Sequence, residues 1–189
     1  LETFVTKKRN AISLTYSKEA WRLLANNFCK VLSNPDDLEA RGAMQLGACL
    51  AGLAIENSML GGSHATANPL TANYGIVHGQ AVALMLPHVV RFNGEKFAPW
   101  YEELYNELTD ETVDDVFSAD KPSSGPDGIA GFITALLKRT NLSTTLTEAG
   151  VDRERIAGLA ESAEKEWTGG FNPRPLNRKN LEQLYEQAY

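Results

Sequence analysis

Long apolar runs, basic clusters, cysteine and histidine are all scarce in this 189-residue chain. No apolar run reaches the ~20 residues that cross a bilayer, so we expect no membrane-spanning helix. The only basic run is Lys7-Lys8-Arg9 and the net charge is −6, which argues against a nucleic-acid partner. No glycine-rich loop follows a predicted strand, so the sequence signature of a dinucleotide phosphate cradle is missing.

The two cysteines, Cys29 and Cys49, each fall within a helical pattern and form no CxxC motif. We expect both to be buried, reduced thiols that pack as small apolar groups. Because disulfides are rare in the cytosol, this cysteine usage indicates a cytoplasmic protein.

Helical periodicity dominates the sequence, and signals for strands are few. We predict an all-α fold, a single domain over residues 1–189 with seven to nine helices. An apolar stripe predicts a helix over 17–31, and Asp36-Asp37 can cap the next helix, over 38–60. Small residues from Gly47 to Gly52 permit close helix packing, so we expect this second helix to be the central, buried one.

Later segments follow the same pattern. The stretch 79–90 is apolar nearly all round and predicts a core helix, in which Pro87 should introduce a kink. The acidic stretch 109–127 predicts a surface loop, and its part from Lys121 to Pro126 has the composition of a linker. Asn177 is the predicted cap of a last helix over 178–188.

Two of the three histidines, His64 and His78, lie fourteen residues apart in small-residue, loop-like settings. Imidazole is a common ligand of iron, zinc, nickel and copper. On one straight helix this spacing would put the rings roughly 20 Å apart. The two histidines can therefore share an ion only if the chain folds back, and Pro69 and Gly75 offer places to do so. On spacing alone, two unrelated histidines remain the alternative.

Five short runs, from the segment that contains these histidines to residue 175, form an ordered set of motifs. They are AGLAIENSMLG at 51–61, HG at 78–79, LPHVVRFN at 86–93, EAGV at 148–151 and TGGFNPRP at 168–175. In content, order and spacing they resemble the C-terminal half of the iron-containing (group III) alcohol dehydrogenases, over nearly the whole chain.

The resemblance implies a metal site. In that family the ion is held by an Asp, a His four residues after it, and two further histidines fourteen apart, which His64 and His78 match. The Asp-x-x-x-His pair would lie immediately upstream of Leu1, and the dinucleotide-binding domain would precede it. We therefore expect one domain of a two-domain enzyme, with an incomplete ligand set for Fe²⁺ or Zn²⁺ and with NAD(P) bound by the missing N-terminal domain.

Three further residues carry expectations from the resemblance. Asn68 stands where the family commonly has a His that faces the nicotinamide and handles a proton. Since Asn does not titrate near neutrality, proton transfer would use water or the cofactor ribose, or the activity is altered. Trp167 stands beside the family's substrate pocket and would narrow it, or else it anchors the last loop on the core. For His88 we expect structural packing, with a role in the site as the alternative.

The leading hypothesis is the catalytic helical half of a metal-dependent alcohol dehydrogenase that interconverts a small alcohol and an aldehyde with NAD(P). A glycerol dehydrogenase-like or maleylacetate reductase-like oxidoreductase is the nearest rival. A non-catalytic helical binding or assembly module is the alternative from another class. We expect the isolated chain to be inactive, and the sequence leaves open whether it forms a homo-oligomer.

Overall fold

The computed structural model describes residues 1–117 and 123–189. These residues form nine α-helices and two 3-10 segments, with no strand among them, which confirms the predicted all-α class. The helices are α1 (Glu2–Val5), α2 (Ala11–Ser33), α3 (Leu38–Asn57), α4 (Gly62–Tyr74), α5 (His78–Tyr105), α6 (Asp110–Phe117), α7 (Gly125–Arg139), α8 (Ile156–Glu164) and α9 (Arg178–Ala188). The 3-10 segments are Arg153–Arg155 and Trp167–Phe171.

Polar side chains cap the first turns of three helices. Two predicted caps are confirmed: Asp37 accepts hydrogen bonds from two backbone N–H groups of α3, and Asn177 accepts one in α9. Helix α2 begins six residues before the predicted start, because Asn10 and Ser13 form a reciprocal capping box. Satisfying these free N–H groups fixes where each helix begins.

Helices α2 and α3 form an antiparallel pair whose outer face is open. The expectation that α3 is the central, buried helix is wrong, because α3 packs mainly on α2 and exposes Leu38 (81%) and Leu46 (52%). Its small residues serve that one contact, since a Cβ at Gly47 would lie 2.8 Å from Leu24 Cγ. Close approach on one side therefore does not imply burial on all sides.

The centre of the fold is built by α4, α5, α8 and α9. Leu70, Leu84 and Met85 are fully buried there. The Tyr185 hydroxyl of α9 donates to the Thr66 carbonyl of α4 at 2.6 Å. The first helix that bears a predicted metal ligand, α4, is thus held inside the domain rather than on a mobile surface loop.

Helix α5 is longer than predicted and contains both Pro87 and Pro99. Its one non-helical residue is Phe97 (φ −126°, ψ 30°), two residues before Pro99, and the backbone around Pro87 keeps helical angles, so the predicted kink at Pro87 stays a prediction. A proline removes one helical hydrogen bond and crowds the preceding turn, which accounts for a break just before Pro99. The long helix consequently contacts two parts of the core.

The acidic stretch predicted to be a loop contains helix α6. Asp110 and Glu111 lie in its first turn, where the helix dipole favours negative charge. Val113 packs in a small cluster with Phe132 of α7. Lys121 and Pro122 of the predicted linker lie outside the described residues, and α7 begins at Gly125.

The two cysteines differ in environment. Both are free thiols; Cys29 is buried as expected, whereas Cys49 is exposed on the open face of α3. The expectation that both are buried is therefore wrong for Cys49, for the same reason as for α3 itself. Within the described part of the chain, no helix has the length and apolar character needed to cross a membrane.

Candidate metal centre

The structure brings the two predicted histidines together. His64 lies in the first turn of α4, and His78 is the first residue of α5. Their ring centres are 5.3 Å apart, with 53° between the ring planes. Between the two histidines the chain therefore runs along α4 and then turns back, so that His78 comes to lie beside His64.

The chain reverses at Gly75, where φ is +65° and the backbone N–H closes α4 by donating to the Thr71 carbonyl. This left-handed conformation is one that glycine adopts without a steric penalty. Pro69 does not form the turn: it is buried inside α4. The settings of the histidines are accordingly two helix beginnings, and the expectation of loops is wrong.

Glu2, which the sequence did not suggest, holds the His64 ring in place. Its Oε2 lies 2.5 Å from His64 Nδ1, and its Oε1 accepts a hydrogen bond from the Ser63 backbone N–H at 2.7 Å. The Glu2 side chain is only 6% exposed. Burial by itself raises the pKa of this carboxyl, but the hydrogen bonds from His64 and from two backbone N–H groups outweigh burial and lower the pKa.

The geometry of the pair fits one shared metal ion. Because Nδ1 of His64 faces Glu2, its Nε2 is the nitrogen left for an ion. Two imidazoles that bind one ion tetrahedrally at about 2.1 Å hold their ring centres roughly 5 Å apart, and the observed separation is 5.3 Å. Among residues 1–117 and 123–189, no group of three or more His, Cys, Asp or Glu side chains is arranged for a metal, so this chain offers two imidazoles.

Asn68, one turn after His64, makes a contact that the sequence did not predict. Its Nδ2 donates to Glu166 Oε2 at 2.7 Å. Glu166 immediately precedes the 3-10 segment Trp167–Phe171, which packs on α4. A carboxylate therefore lies next to the position that we expected to lack a titratable group.

Trp167 is 64% exposed and makes an edge contact with Phe171, whose ring centre is 5.9 Å away. Its side chain is not a buried anchor, so that alternative is wrong. The segment is instead seated by Gly169, where a Cβ would lie 3.3 Å from the Cβ of Ala65. The expected role of Trp167 at a substrate pocket stays a prediction.

Asn172 is the second residue outside the predicted set that supports α4. Its Oδ1 accepts from the Gly62 backbone N–H at 3.2 Å and from Asn93 Nδ2 at 3.0 Å. Its Nδ2 donates to Asn93 Oδ1 at 2.8 Å and to the Arg174 carbonyl at 2.7 Å. Asn172 and Asn93 are each 1% exposed, so this amide pair is a buried network at the beginning of α4.

His88 lines a cavity that is separate from the histidine pair. This cavity of about 1020 Å³ lies between α5 and α9, and its lining contains neither His64 nor His78. Burial, with a smaller contribution from Arg91, lowers the pKa of His88 to about 4. The lowered pKa agrees with a neutral ring, and the separate cavity agrees with a histidine outside the pair.

The whole chain, residues 1–189, matches the family model described as the Fe-containing alcohol dehydrogenase family, C-terminal. It is 31% identical over 193 residues to a 1,3-propanediol dehydrogenase of Klebsiella pneumoniae, covering 100% of this chain and 48% of that protein. It is 26% identical to an NADPH-dependent butanol dehydrogenase of Clostridium saccharobutylicum, covering 100% of this chain and 47% of that protein.

Solved structures agree in fold. The chain superposes on a 1,3-propanediol oxidoreductase with a TM-score of 0.84 at 26% identity, covering 100% of this chain and 48% of the other. The chain thus spans about half the length of the relatives and structures that it matches.

Proposed function

Since the chain belongs to the Fe-containing alcohol dehydrogenase family, we propose that it is the metal-bearing helical half of an enzyme that interconverts a small alcohol and an aldehyde with NAD(P). In this proposal His64 and His78 bind Fe²⁺ or Zn²⁺. The remaining ligands, an Asp and a His, and the dinucleotide-binding domain belong to the part of the protein upstream of Leu1.

One observation carries the proposal: the convergence of two imidazoles 5.3 Å apart, one of them held by a buried carboxylate. Random surface histidines have no reason to meet at two helix beginnings with their rings at the separation that one ion requires. The carboxylate on the outer nitrogen of His64 is the usual partner of a metal-binding histidine.

Each residue then has a defined task. His64 and His78 hold the ion through neutral imidazole nitrogens and leave room for other ligands. When bound, the ion polarises the alcohol oxygen and favours loss of its proton while hydride leaves for the nicotinamide. The turn at Gly75 fixes the distance between the two rings.

Asn68 donates a hydrogen bond to Glu166 and does not exchange a proton itself. Proton transfer in this protein therefore passes through Glu166, water or the cofactor ribose. The exposed Trp167, one residue after Glu166, would narrow the substrate pocket in favour of small alcohols. The names of the relatives favour the alcohol dehydrogenase branch over glycerol dehydrogenase-like and maleylacetate reductase-like enzymes.

The cysteines indicate the cellular compartment, and the proposed reaction indicates the binding partners. Because both cysteines are free thiols, we place the enzyme in the reducing cytoplasm. Its partners are the small alcohol or aldehyde, NAD(P) and the dinucleotide-binding domain. Self-association into a homo-oligomer would add a further partner.

The test compares this chain with a longer version that continues upstream through the Asp-x-x-x-His pair and the nucleotide domain. We expect this chain alone to bind Fe²⁺ or Zn²⁺ weakly and to give no turnover. Each missing ligand should weaken binding by more than the 10–100-fold that is typical when a supporting residue is removed. The longer version should bind one ion tightly and oxidise 1,3-propanediol or butanol with NAD or NADP.

Variants of the longer version assign the ligands. His64→Ala and His78→Ala should lose both the ion and turnover, whereas the matched control His88→Gln should retain both. Tight one-to-one metal binding or turnover by this chain alone would contradict the proposal. An active His64→Ala or His78→Ala enzyme would do so as well.

A further inference from the structure

We infer that Glu2 is a positioning residue: it fixes the tautomer and the direction of the His64 ring so that Nε2 presents its lone pair to the metal site. This inference rests on the proposed metal-binding role of His64. It adds a residue that supports the site from outside the ligand set.

The hydrogen bonds of Glu2 determine the tautomer. An ionised carboxylate only accepts hydrogen bonds, so the His64 nitrogen that it faces must carry the proton. That nitrogen is Nδ1, 2.5 Å from Glu2 Oε2. In the neutral ring the proton on Nδ1 leaves the lone pair on Nε2, which is the form that binds a metal.

The carboxylate itself is held in one orientation. Its other oxygen, Oε1, accepts from the Ser63 backbone N–H at 2.7 Å, so the two oxygens have different partners and cannot exchange them. Ser63 and His64 are consecutive residues of α4. Glu2 therefore binds both the backbone and the imidazole ring of one helical turn.

The surroundings of Glu2 leave it little room to move. All four residues of α1 are buried. On one side of this helix the Thr3 hydroxyl accepts a hydrogen bond from Ser17 Oγ of α2 at 2.7 Å. On the other side a Cβ at Gly61 would lie 3.0 Å from Glu2 Oε1, so a glycine is what permits the close approach of the carboxylate.

Charge and helix geometry act in the same direction. The carboxylate lies against the first turn of α4, a helix of 13 residues. The free N–H groups and the dipole at a helix beginning stabilise a negative charge there. The same contact that stabilises the start of α4 thus orients its histidine.

The sharpest test is Glu2→Gln in this chain, because Gln keeps the size of the side chain and changes one acceptor into a donor. The Ser63 N–H still requires the carbonyl oxygen, since the opposite orientation would set its N–H against the amide NH₂. The NH₂ group must then donate to His64 Nδ1. We expect the proton of the neutral His64 ring to move from Nδ1 to Nε2.

The readout is a long-range ¹⁵N–¹H spectrum of the metal-free chain, at a pH high enough for the His64 ring to be neutral. The wild type should show the proton on Nδ1 and Glu2→Gln should show it on Nε2. Zn²⁺ titrations followed on the His64 signals should give an affinity about 10–100-fold weaker for Glu2→Gln. Glu19→Gln, which removes an exposed carboxylate paired with Arg22 on α2, is the matched control and should change neither quantity.

Each outcome decides the inference. A folded Glu2→Gln chain with the proton still on Nδ1 would overturn it, and so would a wild-type ring with the proton on Nε2. If Glu2→Gln does not fold, the wild-type tautomer alone decides. If Zn²⁺ binds neither chain, the tautomer still tests the role of Glu2, while the metal function is decided by the longer version with its complete ligand set; a longer version that binds no ion would overturn that function.

Discussion

Replacing Asn172 by Ala should destabilise the domain far more than the loss of one ordinary side chain on its surface. The Asn172 carboxamide makes two hydrogen bonds with Asn93 and one each with the Gly62 N–H and the Arg174 carbonyl. Truncation leaves the buried Asn93 carboxamide and the Gly62 N–H without these partners.

The expected magnitude follows from burial. A buried polar group that loses its partner costs about 1–3 kcal/mol, and Asn93 is only 1% exposed. The Asn93 amide, the Asn93 side-chain oxygen and the Gly62 N–H all lose a partner. We therefore expect a loss of about 3–5 kcal/mol in the free energy of unfolding. For a chain of this size that is a fall of roughly 6–20 °C in Tm.

Urea denaturation of this chain measures the effect, with Asn57→Ala as the control. Asn57 is exposed at the end of α3, where its amide donates to the Leu53 carbonyl, so its truncation should stay within about 0.5 kcal/mol. The double variant Asn93→Ala/Asn172→Ala should cost less than the sum of the two single variants, because each removes the partner that the other orphans. A loss below about 1 kcal/mol for Asn172→Ala, or strict additivity with Asn93→Ala, would refute this account of the network.

Two further predictions concern packing and pH. Gly94→Ala should destabilise the domain by about 1–3 kcal/mol in urea denaturation, because its Cβ would lie 2.5 Å from Pro126 Cβ. Gly52→Ala on the open face of α3 has nothing within 4 Å and should stabilise by up to about 1 kcal/mol; equal effects would contradict the packing argument. The pKa of His88 falls from 6.5 to about 4 on folding, so the unfolded chain binds the proton more readily and stability should drop by at most about 3 kcal/mol as pH falls through this window. His88→Gln should flatten that part of the stability profile, and an unchanged profile would contradict the assignment.

Features set by neighbouring residues could be predicted from the sequence. Asp37 and Asn177 were identifiable as caps because a cap bonds N–H groups only two or three residues away. The all-α class followed from periodicity, which is also local. Periodicity does not show which element packs against an apolar face. The prediction for α3 was wrong for that reason, because small residues predict close packing but not the number of sides on which it occurs.

The histidine pair was partly predictable for the same reason. The fourteen-residue spacing and the intervening glycine indicated that the chain folds back between them, and Gly75 makes the turn. Choosing Pro69 as a second turning point was wrong, because a proline within a helix can be accommodated where neighbouring groups are satisfied.

The orienting groups were beyond sequence reasoning because each acts across the chain. Glu2 is 62 residues from His64, Glu166 is 98 from Asn68, and Asn172 is 110 from Gly62. None of these pairs has a spacing that a helix or a turn would reveal. A buried Glu beside the start of a helix that bears a predicted metal ligand carries no pattern of its own in a single sequence.

The first turn of α4 is consequently held from both ends of the chain, by Glu2 from α1 and by Asn172 from beyond the second 3-10 segment. The position of the His64 ring therefore depends on the whole domain being folded. An ion that binds only this arrangement stabilises the native state, and any loss of native structure must weaken its binding by the same linkage. Asn172→Ala, although remote from the imidazoles along the chain, should for that reason weaken metal binding under conditions, such as moderate urea, in which it depletes the folded population.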